Sequence, residues 1–521
     1  MILGNLARLN AARYGDRIAF KDERNEVSFD LANRRINAFL RSLYELGLKK
    51  GDRVAVLLYN CTEYCELLYG LPKGGLVMVP LNYRLVGREL KYILNNSEVN
   101  AIIYDQEFSE TIGNIKSELE TISHYIVINH QNTSESEDLV YEKMIENRSA
   151  EEVSAQVRES DIAFILYTSG TTGFPKGAML TQKNIITNLF NSVFERKPNI
   201  HDRLLILPPL YHCAAQSEML VWSLFGCPTV MLKQFDTEAA LVAIKNERPN
   251  ILLMVPAMQN MVINHHSINE YDFSFVGLML YGASSMMRSH LIKSMDIFGC
   301  NFLQTAGLTE ASPALTFLRP EDHVIDGPAH LVRKLGSAGP EAKLTEVKVV
   351  DSEGNECLPN IPGEEIARGN NIMKGYWKMP DETAKTIVNG WLHTGDICLK
   401  DEDGYLYYVD RIKDMISRGG ENVYPREIEE VIAAHPRVME VAVIGVPDDR
   451  LQEEIMAVLA LNEGPPIDER EIVEICEKSL ARFKKPRYVT FVDQLPKTAS
   501  GKILKRELKE QYERTHLPPK L

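Results

Sequence analysis

The sequence predicts an α/β protein. It has a large N-terminal domain of parallel-rich sheets with a small barrel-like subdomain, followed by a small α+β C-terminal domain. Three observations predict this. Strand-like apolar runs alternate with helical windows over most of the length, the pattern of parallel sheets with helices on their faces. Several runs are apolar without alternation, as in strands covered on both sides. After about Gly336 the strands shorten, and Gly, Asp and Glu turns crowd in, as in VKVVDSEGNECLPNIPGEEIARG. That change suggests an antiparallel or barrel-like unit.

In chain order, the expected strands are RVAVLLY (53–59), GLVMVPL (75–81), AIIYD (101–105), AFILYTS (163–169) and ILLMVP (251–256). Helical windows such as ELLYGLPKGG and VGRELKYILNNS separate them. The most apolar stretch, MLVWSLFGCPTVML (219–232), is interrupted by Gly226, Cys227 and Pro228. It predicts a helix, a turn and a strand rather than a membrane span. The stretch GYLYYVDRIKDMI is β-rich with a charged interruption, and a helix and strand follow in VYPREIEEVIAAHPRVMEVAVIG. A boundary is therefore expected near 411–413, giving domains 1–410 and 411–521. A chain of 521 residues exceeds what one core supports, so more than one domain is expected.

The composition, 45% hydrophobic and 25% charged, is ordinary for a globular protein. A net charge of −14 argues against a nucleic-acid partner, since phosphate backbones are held by clustered Lys and Arg. It leaves room for a nucleotide in a locally positive pocket. The eight cysteines are scattered. Only Cys61 and Cys65 are close, and their spacing fits one helix face better than a metal knuckle. Reduced thiols in a cytoplasmic protein are expected. The first twenty residues lack a long apolar h-region and a small-residue cleavage site, so no secretory leader is expected.

The strongest chemical signal is Thr168-Ser169-Gly170-Thr171-Thr172-Gly173-Phe174-Pro175-Lys176-Gly177, between an apolar strand and a helix expected near Asn184. Glycines allow close backbone approach, successive amides and hydroxyls can ring a polyphosphate, and Lys176 adds a point charge. A plain surface turn accounts poorly for four hydroxyls, three glycines and a lysine directly after a buried strand. The hydrolase P-loop requires Gly, four residues, then Gly-Lys-Ser/Thr. Here Pro175 precedes the lysine and Gly177 follows it.

The segment closely resembles the phosphate loop of the adenylate-forming superfamily, which includes acyl-CoA synthetases, peptide-synthetase adenylation domains and luciferase. Further motifs of that family follow in order: QTAGLTEAS (304–312), GEEIARGNNIMKGYW (363–377), GWLHTGD (390–396), YVDRIKDMISRGGENVYPREIE (408–429) and LPKTASGKILKREL (495–508). The resemblance covers nearly the whole chain. It implies that Glu310 is the Mg²⁺ carboxylate, with Thr168 beside it, and that Thr309 bonds the α-phosphate. Nucleotide contacts are implied for Gly282, Ala283, Ser284, Gln304, Thr305, Ala306 and Gly307. Asp396 and Arg411 are implied at the ribose; a carboxylate suits a vicinal diol because it offers two acceptors. Lys502 is implied as the catalytic lysine that bridges the substrate carboxylate and the α-phosphate, where an ammonium stabilises the meeting of two anions.

The resemblance further implies a mobile C-terminal domain that turns about a hinge at Lys413. One pose brings Lys502 to the phosphate, and the other brings Gly419, Gly420 and Glu421 to a coenzyme A tunnel. The acyl pocket is implied at Tyr211, His212, Ala283 and Gly307, with His212 facing the acid. Met254, Met258, Met286 and Met287 are soft residues near it. No Lys or Arg in these segments is obviously placed for a second substrate carboxylate, although Arg288 is close in sequence. An apolar monoacid, fatty or aryl, is preferred. One position departs from the family. An aromatic residue usually precedes the glycine of the GLTE motif and stacks on adenine, and here it is Ala306. Such stacking contributes roughly 1–3 kcal/mol per base, so weaker or rearranged adenine binding is expected.

The implied activity is an acyl-CoA synthetase using ATP, Mg²⁺ and coenzyme A on a carboxylic acid, and family habit implies a homodimer. Alternatives are an adenylation enzyme that loads a carrier-protein phosphopantetheine and a non-catalytic binding protein of the same fold. A luciferase-type monooxygenase is remote. Retention of Lys176, Glu310, Asp396, Arg411 and Lys502 together argues against the binding protein.

Overall fold

The computed structural model describes residues 1–129, 138–168, 175–284, 286–419, 421–448, 450–462, 464–497 and 503–514. Among these residues the strands form four sheets. The first has eight strands. Val77–Pro80, Arg53–Leu57, Ala101–Asp105 and His124–Ile128 run parallel at its centre. Ile162–Thr168 joins parallel to Val77–Pro80, and Lys176–Thr181 then pairs antiparallel with it. The two-residue strand Gly375–Tyr376 closes that edge. The second sheet also has eight strands, with Ile18–Lys21, Thr229–Met231, Leu204–Ile206, Ile251–Leu253, Leu278–Gly282 and Asn301–Gly307 all parallel. Ala314–Leu318 turns back antiparallel at one end.

Both sheets are covered on two faces, and alternate side chains go to different cores. In the first sheet, Val54 and Val56 join the central core, whereas Ala55 and Leu57 join an outer one with Leu90, Ile93 and Leu94. In the second, Leu204 and Ile206 face the central core, and Leu205 faces an outer cluster with Leu241 and Ile244. The helix Thr62–Lys73 lies in the central layer with every residue buried. Its buried Glu66 is satisfied there, accepting from the Arg35 guanidinium and from the Tyr141 hydroxyl.

The stretch 219–232 forms the end of helix Cys213–Ser223, a turn, and strand Thr229–Met231. Cys61 and Cys65 are both buried free thiols, and Cys61 sits at the start of helix Thr62–Lys73. ILLMVP is a strand only to Leu253, because Pro256 begins helix Pro256–Ile263. Proline at a first helical position lacks only an N–H that had no helical acceptor. No helix among the described residues is long and apolar enough to cross a membrane.

Beyond residue 336 the pairing among the described residues becomes antiparallel, except that Tyr488–Phe491 runs parallel to Gln452–Leu461. Thr345–Val350, Gly363–Gly369, Trp391–Lys400, Ile387–Val388 and Leu406–Arg411 form a five-stranded sheet. The expected boundary at 410/411 falls at the end of its last strand. The C-terminal sheet starts at Ile416–Arg418 and is built on the long hairpin Val438–Asp448 and Gln452–Leu461. Helices Pro425–Ala433 and Glu469–Ser479 pack on it, and it has cores of its own around Ile428, Ile455, Ile444 and Met456.

Candidate active site

The loop flagged by sequence begins at the end of strand Ile162–Thr168 and re-enters the sheet at Lys176. Ser169, Gly170, Thr171, Thr172 and Gly173 lie outside the described residues, as do Gly420 and Lys502. The two described ends of the loop are held side by side, with Thr168 paired to Lys176 across the antiparallel ladder. On the far side, Thr181 caps helix Gln182–Arg196 by accepting from the Asn184 amide, and the Asn184 side chain returns the bond to the Thr181 amide. This capping box fixes where strand becomes helix.

Glu310 arrives from the second sheet. Strand Asn301–Gly307 ends in the short turn Thr309–Ala311, which carries Thr309 and Glu310. Gly307 has φ +146°, and a Cβ there would meet the Pro313 carbonyl oxygen at 2.2 Å. Only glycine lets the chain pass so close to its own return strand. Glu310 is buried, its backbone carbonyl accepts from Met373 at 2.8 Å, and its carboxylate accepts from the Tyr376 hydroxyl at 2.8 Å. The Thr168 hydroxyl donates to the same oxygen at 3.4 Å. The glutamate thus joins the phosphate-loop strand to the GYW strand. Burial, and then the Glu310 charge beside it, push the Tyr376 phenol far above its usual range, so it remains a donor.

Lys176 is also buried. Its ammonium lies 2.5 Å from Glu382 Oε2 and 5.3 Å from the centre of the Tyr376 ring. Neither Tyr376 nor Glu382 was singled out from the sequence. Tyr376 lies within GEEIARGNNIMKGYW, but nothing in its spacing points to Glu310.

A second group surrounds the expected acyl and adenine positions. Gly282 pairs with Thr305 across the parallel ladder, and Tyr281 with Gln304. A Cβ on Gly282 would meet the Thr305 carbonyl at 2.1 Å. Ala283 follows with φ +65° and Ser284 is half-buried. A left-handed alanine costs roughly 1–2 kcal/mol. Ala306 is half-buried opposite Thr316. The Thr305 hydroxyl accepts from the buried Arg196 guanidinium at 2.9 Å, and Arg196 is itself ion-paired with Glu218. His212 precedes helix Cys213–Ser223, its ring 4.3 Å from that of the buried Tyr211. Cys213 Sγ lies 3.5 Å from the Thr309 hydroxyl, which ties this helix to the Glu310 turn. Met254 and Met258 are buried in the outer core of the second sheet, among Val262 and Met279.

A third group lies on the antiparallel sheet. Register places Asp396 opposite Arg411, and the guanidinium Nε is 2.9 Å from Asp396 Oδ1. Below them the fully buried Glu365 accepts from the Tyr408 hydroxyl at 3.1 Å. Burial first, then the Asp396 charge, push the Glu365 carboxyl up to about 8. Lys413 follows Arg411 in a turn where Asp414 and Met415 amides donate to the Arg411 carbonyl. Gly419, with φ +62°, and exposed Glu421 belong to the tight hairpin of the C-terminal sheet.

No group of three or more His, Cys, Asp or Glu among the described residues could hold a metal ion. Magnesium bound with a nucleotide needs fewer protein ligands. It takes one or two carboxylates and completes its shell with phosphates and water. Glu310, with the Thr168 hydroxyl beside it, fits that donor set.

Comparison with known proteins shows the family. The AMP-binding enzyme family matches residues 7–377, and the AMP-binding enzyme C-terminal domain matches residues 427–502. The chain belongs to the AMP-binding enzymes, the adenylate-forming superfamily. It is 35% identical to a feruloyl-CoA synthase from Amycolatopsis over 92% of this chain and 93% of that protein. It is 36% identical to the long-chain-fatty-acid–CoA ligase FadD13 of Mycobacterium tuberculosis over 91% of this chain and 90% of the other. Among solved structures it is similar to the anthranilate CoA ligase AuaEII in complex with anthranoyl-AMP. That match has a TM-score of 0.89 and 26% identity, covering 98% and 97% of the two chains. The protein is an AMP-forming acyl-CoA ligase that works through an acyl-adenylate and uses ATP and coenzyme A, with Mg²⁺ typical of the family.

Proposed function

We propose that the acid is an apolar monocarboxylic acid, fatty or aryl, and that the residues gathered above act on it in two steps. The observation that carries the assignment of roles is the meeting at Glu310. The Thr168 hydroxyl, the Tyr376 hydroxyl and the Lys176 strand converge there from three separate segments.

In the first step a carboxylate oxygen of the acid attacks the α-phosphorus of ATP. The bond from that phosphorus to the bridging oxygen breaks, and pyrophosphate leaves. Lys176 and the loop hold the departing phosphates, and Thr309 bonds the α-phosphate. Asp396 and Arg411 hold the ribose through the acceptors and donors their ion pair already aligns. Lys502 stabilises the two anions as they meet. Glu310 and Thr168 would hold Mg²⁺, which would neutralise phosphate charge. In the second step the sulfur of coenzyme A attacks the acyl carbon, the bond to AMP breaks and the thiol proton is lost. Gly419, Gly420 and Glu421 border the thiol's path after a turn about Lys413.

The preference for a monoacid is supported by the side chains near Thr309. Cys213 lies 3.5 Å from Thr309 and follows His212 and the buried Tyr211 in the chain, whereas Arg288 is exposed at the start of helix Arg288–Phe298. Relatives named for feruloyl and long-chain fatty acids are consistent with either acid class. The test is a screen of acyl-CoA formation over fatty, aryl and short dicarboxylic acids. Turnover of at least one apolar monoacid, with dicarboxylates poor, is expected. A dicarboxylate as the best substrate would overturn the reading.

A further inference from the structure

Lys176 already has an anion. Its buried ammonium is 2.5 Å from Glu382 and 5.3 Å from the centre of the Tyr376 ring. Glu382 lies on the short helix Pro380–Thr386, just after the GYW strand. That helix is fastened down: the Thr383 hydroxyl accepts from the Tyr376 amide at 2.9 Å and donates to the Met379 carbonyl at 2.8 Å. The other Glu382 oxygen accepts from Lys385 at 2.8 Å. The side chain of Lys176 is 10% exposed, that of Glu382 27% and that of Lys385 73%. One carboxylate thus bridges an enclosed lysine and a solvated one. The Lys176 hydrogen bond, and then that of Lys385, pull the Glu382 carboxyl down to about 2, so it is an anion throughout the neutral range.

A triphosphate that engages Lys176 has to take the ammonium from Glu382 and then accept a carboxylate close by. We propose that Glu382 is a competing counter-ion for the phosphate-loop lysine, which sets the affinity for ATP and helps release pyrophosphate. The inference rests on the phosphate role of Lys176 proposed above. When phosphate arrives, Glu382 keeps Lys385 as its partner, so the carboxylate is not stranded. When pyrophosphate leaves, the carboxylate reclaims Lys176. Glu382 is a positioning residue, acting through Lys176 and touching no reacting atom.

The sign of the effect separates this role from a structural one. A mere staple would hold Lys176 in its useful place, so its loss would weaken phosphate binding. A competitor's loss strengthens it. The experiment measures binding of ATP and of pyrophosphate, each in Mg²⁺ buffer without acid, by calorimetry on the full chain. The proteins are wild type, Glu382→Gln, Lys176→Ala and the double variant. Glu382→Gln is expected to bind both ligands about 5-fold tighter or more, the lower end of ordinary coupling between sites. The gain is expected to vanish in the Lys176→Ala background. Equal or weaker binding by Glu382→Gln, or a gain that persists without Lys176, would overturn the inference. If wild type and Glu382→Gln share one thermal transition and neither binds ATP, the nucleotide reading of the site falls first.

Discussion

At the scale of single residues, the candidate site stands on carboxylates whose surroundings differ. Glu382 is held ionised, Glu310 is shared between two hydroxyls, and Glu365 is buried and raised to about 8. The last has a consequence for stability. Its usual value is 4.5, so between pH 4.5 and about 8 the unfolded chain has lost this proton while the folded protein keeps it. The unfolded state then binds fewer protons, and stability falls as pH rises through that window, levelling above it. Glu365→Gln keeps the uncharged shape. Its melting temperature should therefore decline less than that of wild type from pH 5 to 8, and parallel declines would refute the buried proton. Lys502→Ala should lower adenylate formation on the order of 10²–10³-fold, the usual loss for one donor to a developing charge. Thioester formation from supplied acyl-AMP should be largely kept, and equal loss of both steps would remove the assigned role. Lys176, Glu310, Asp396 and Arg411 could be read from motifs. Their partners could not. Tyr376 is 66 residues from Glu310 and Glu382 is 206 from Lys176, and a glutamate in a charged surface helix reads like any solvated acid.

At the scale of elements, the buried helix Thr62–Lys73 and the Gly307 turn bear most directly on the account. Leu68 is wholly buried in the central core. Leu68→Ala should cost about 2–5 kcal/mol by denaturant unfolding, since the enclosing layers can only partly close the cavity. Gly307→Ala drives a methyl into the Pro313 carbonyl and displaces the turn that carries Thr309 and Glu310. Adenylate formation should fall by a larger factor than the shift in melting temperature implies, and unchanged activity would show that the turn tolerates the displacement. Long or fully apolar elements were legible beforehand. AIIYD is a strand over Ala101–Asp105, and the helix windows became Thr62–Lys73 and Gly87–Asn96. Gly375–Tyr376, which completes the Glu310 site, was not legible as a strand, because two residues carry no period.

At the scale of the whole molecule, two parallel-rich sheets share a central core, while the C-terminal sheet has separate cores. Separate cores permit one part to turn against another. The turn of residues around Lys413 joins the antiparallel sheet to the C-terminal one. Lys413→Pro should therefore change the two half-reactions unequally, measured as adenylate formation and as thioester formation from supplied acyl-AMP. Equal effects would argue against a hinge there. The order of motifs made the family legible, because each motif carries its own chemistry. Charge pairing between segments depends on the folded arrangement and was not. The central claim is that the phosphate-loop strand, Glu310 and the ribose pair form an adenylating site. Its most direct test is pyrophosphate release at single turnover, with an accepted monoacid, MgATP and no coenzyme A. One pyrophosphate per active site before any thiol is added is the predicted result; release only when coenzyme A is present would contradict it.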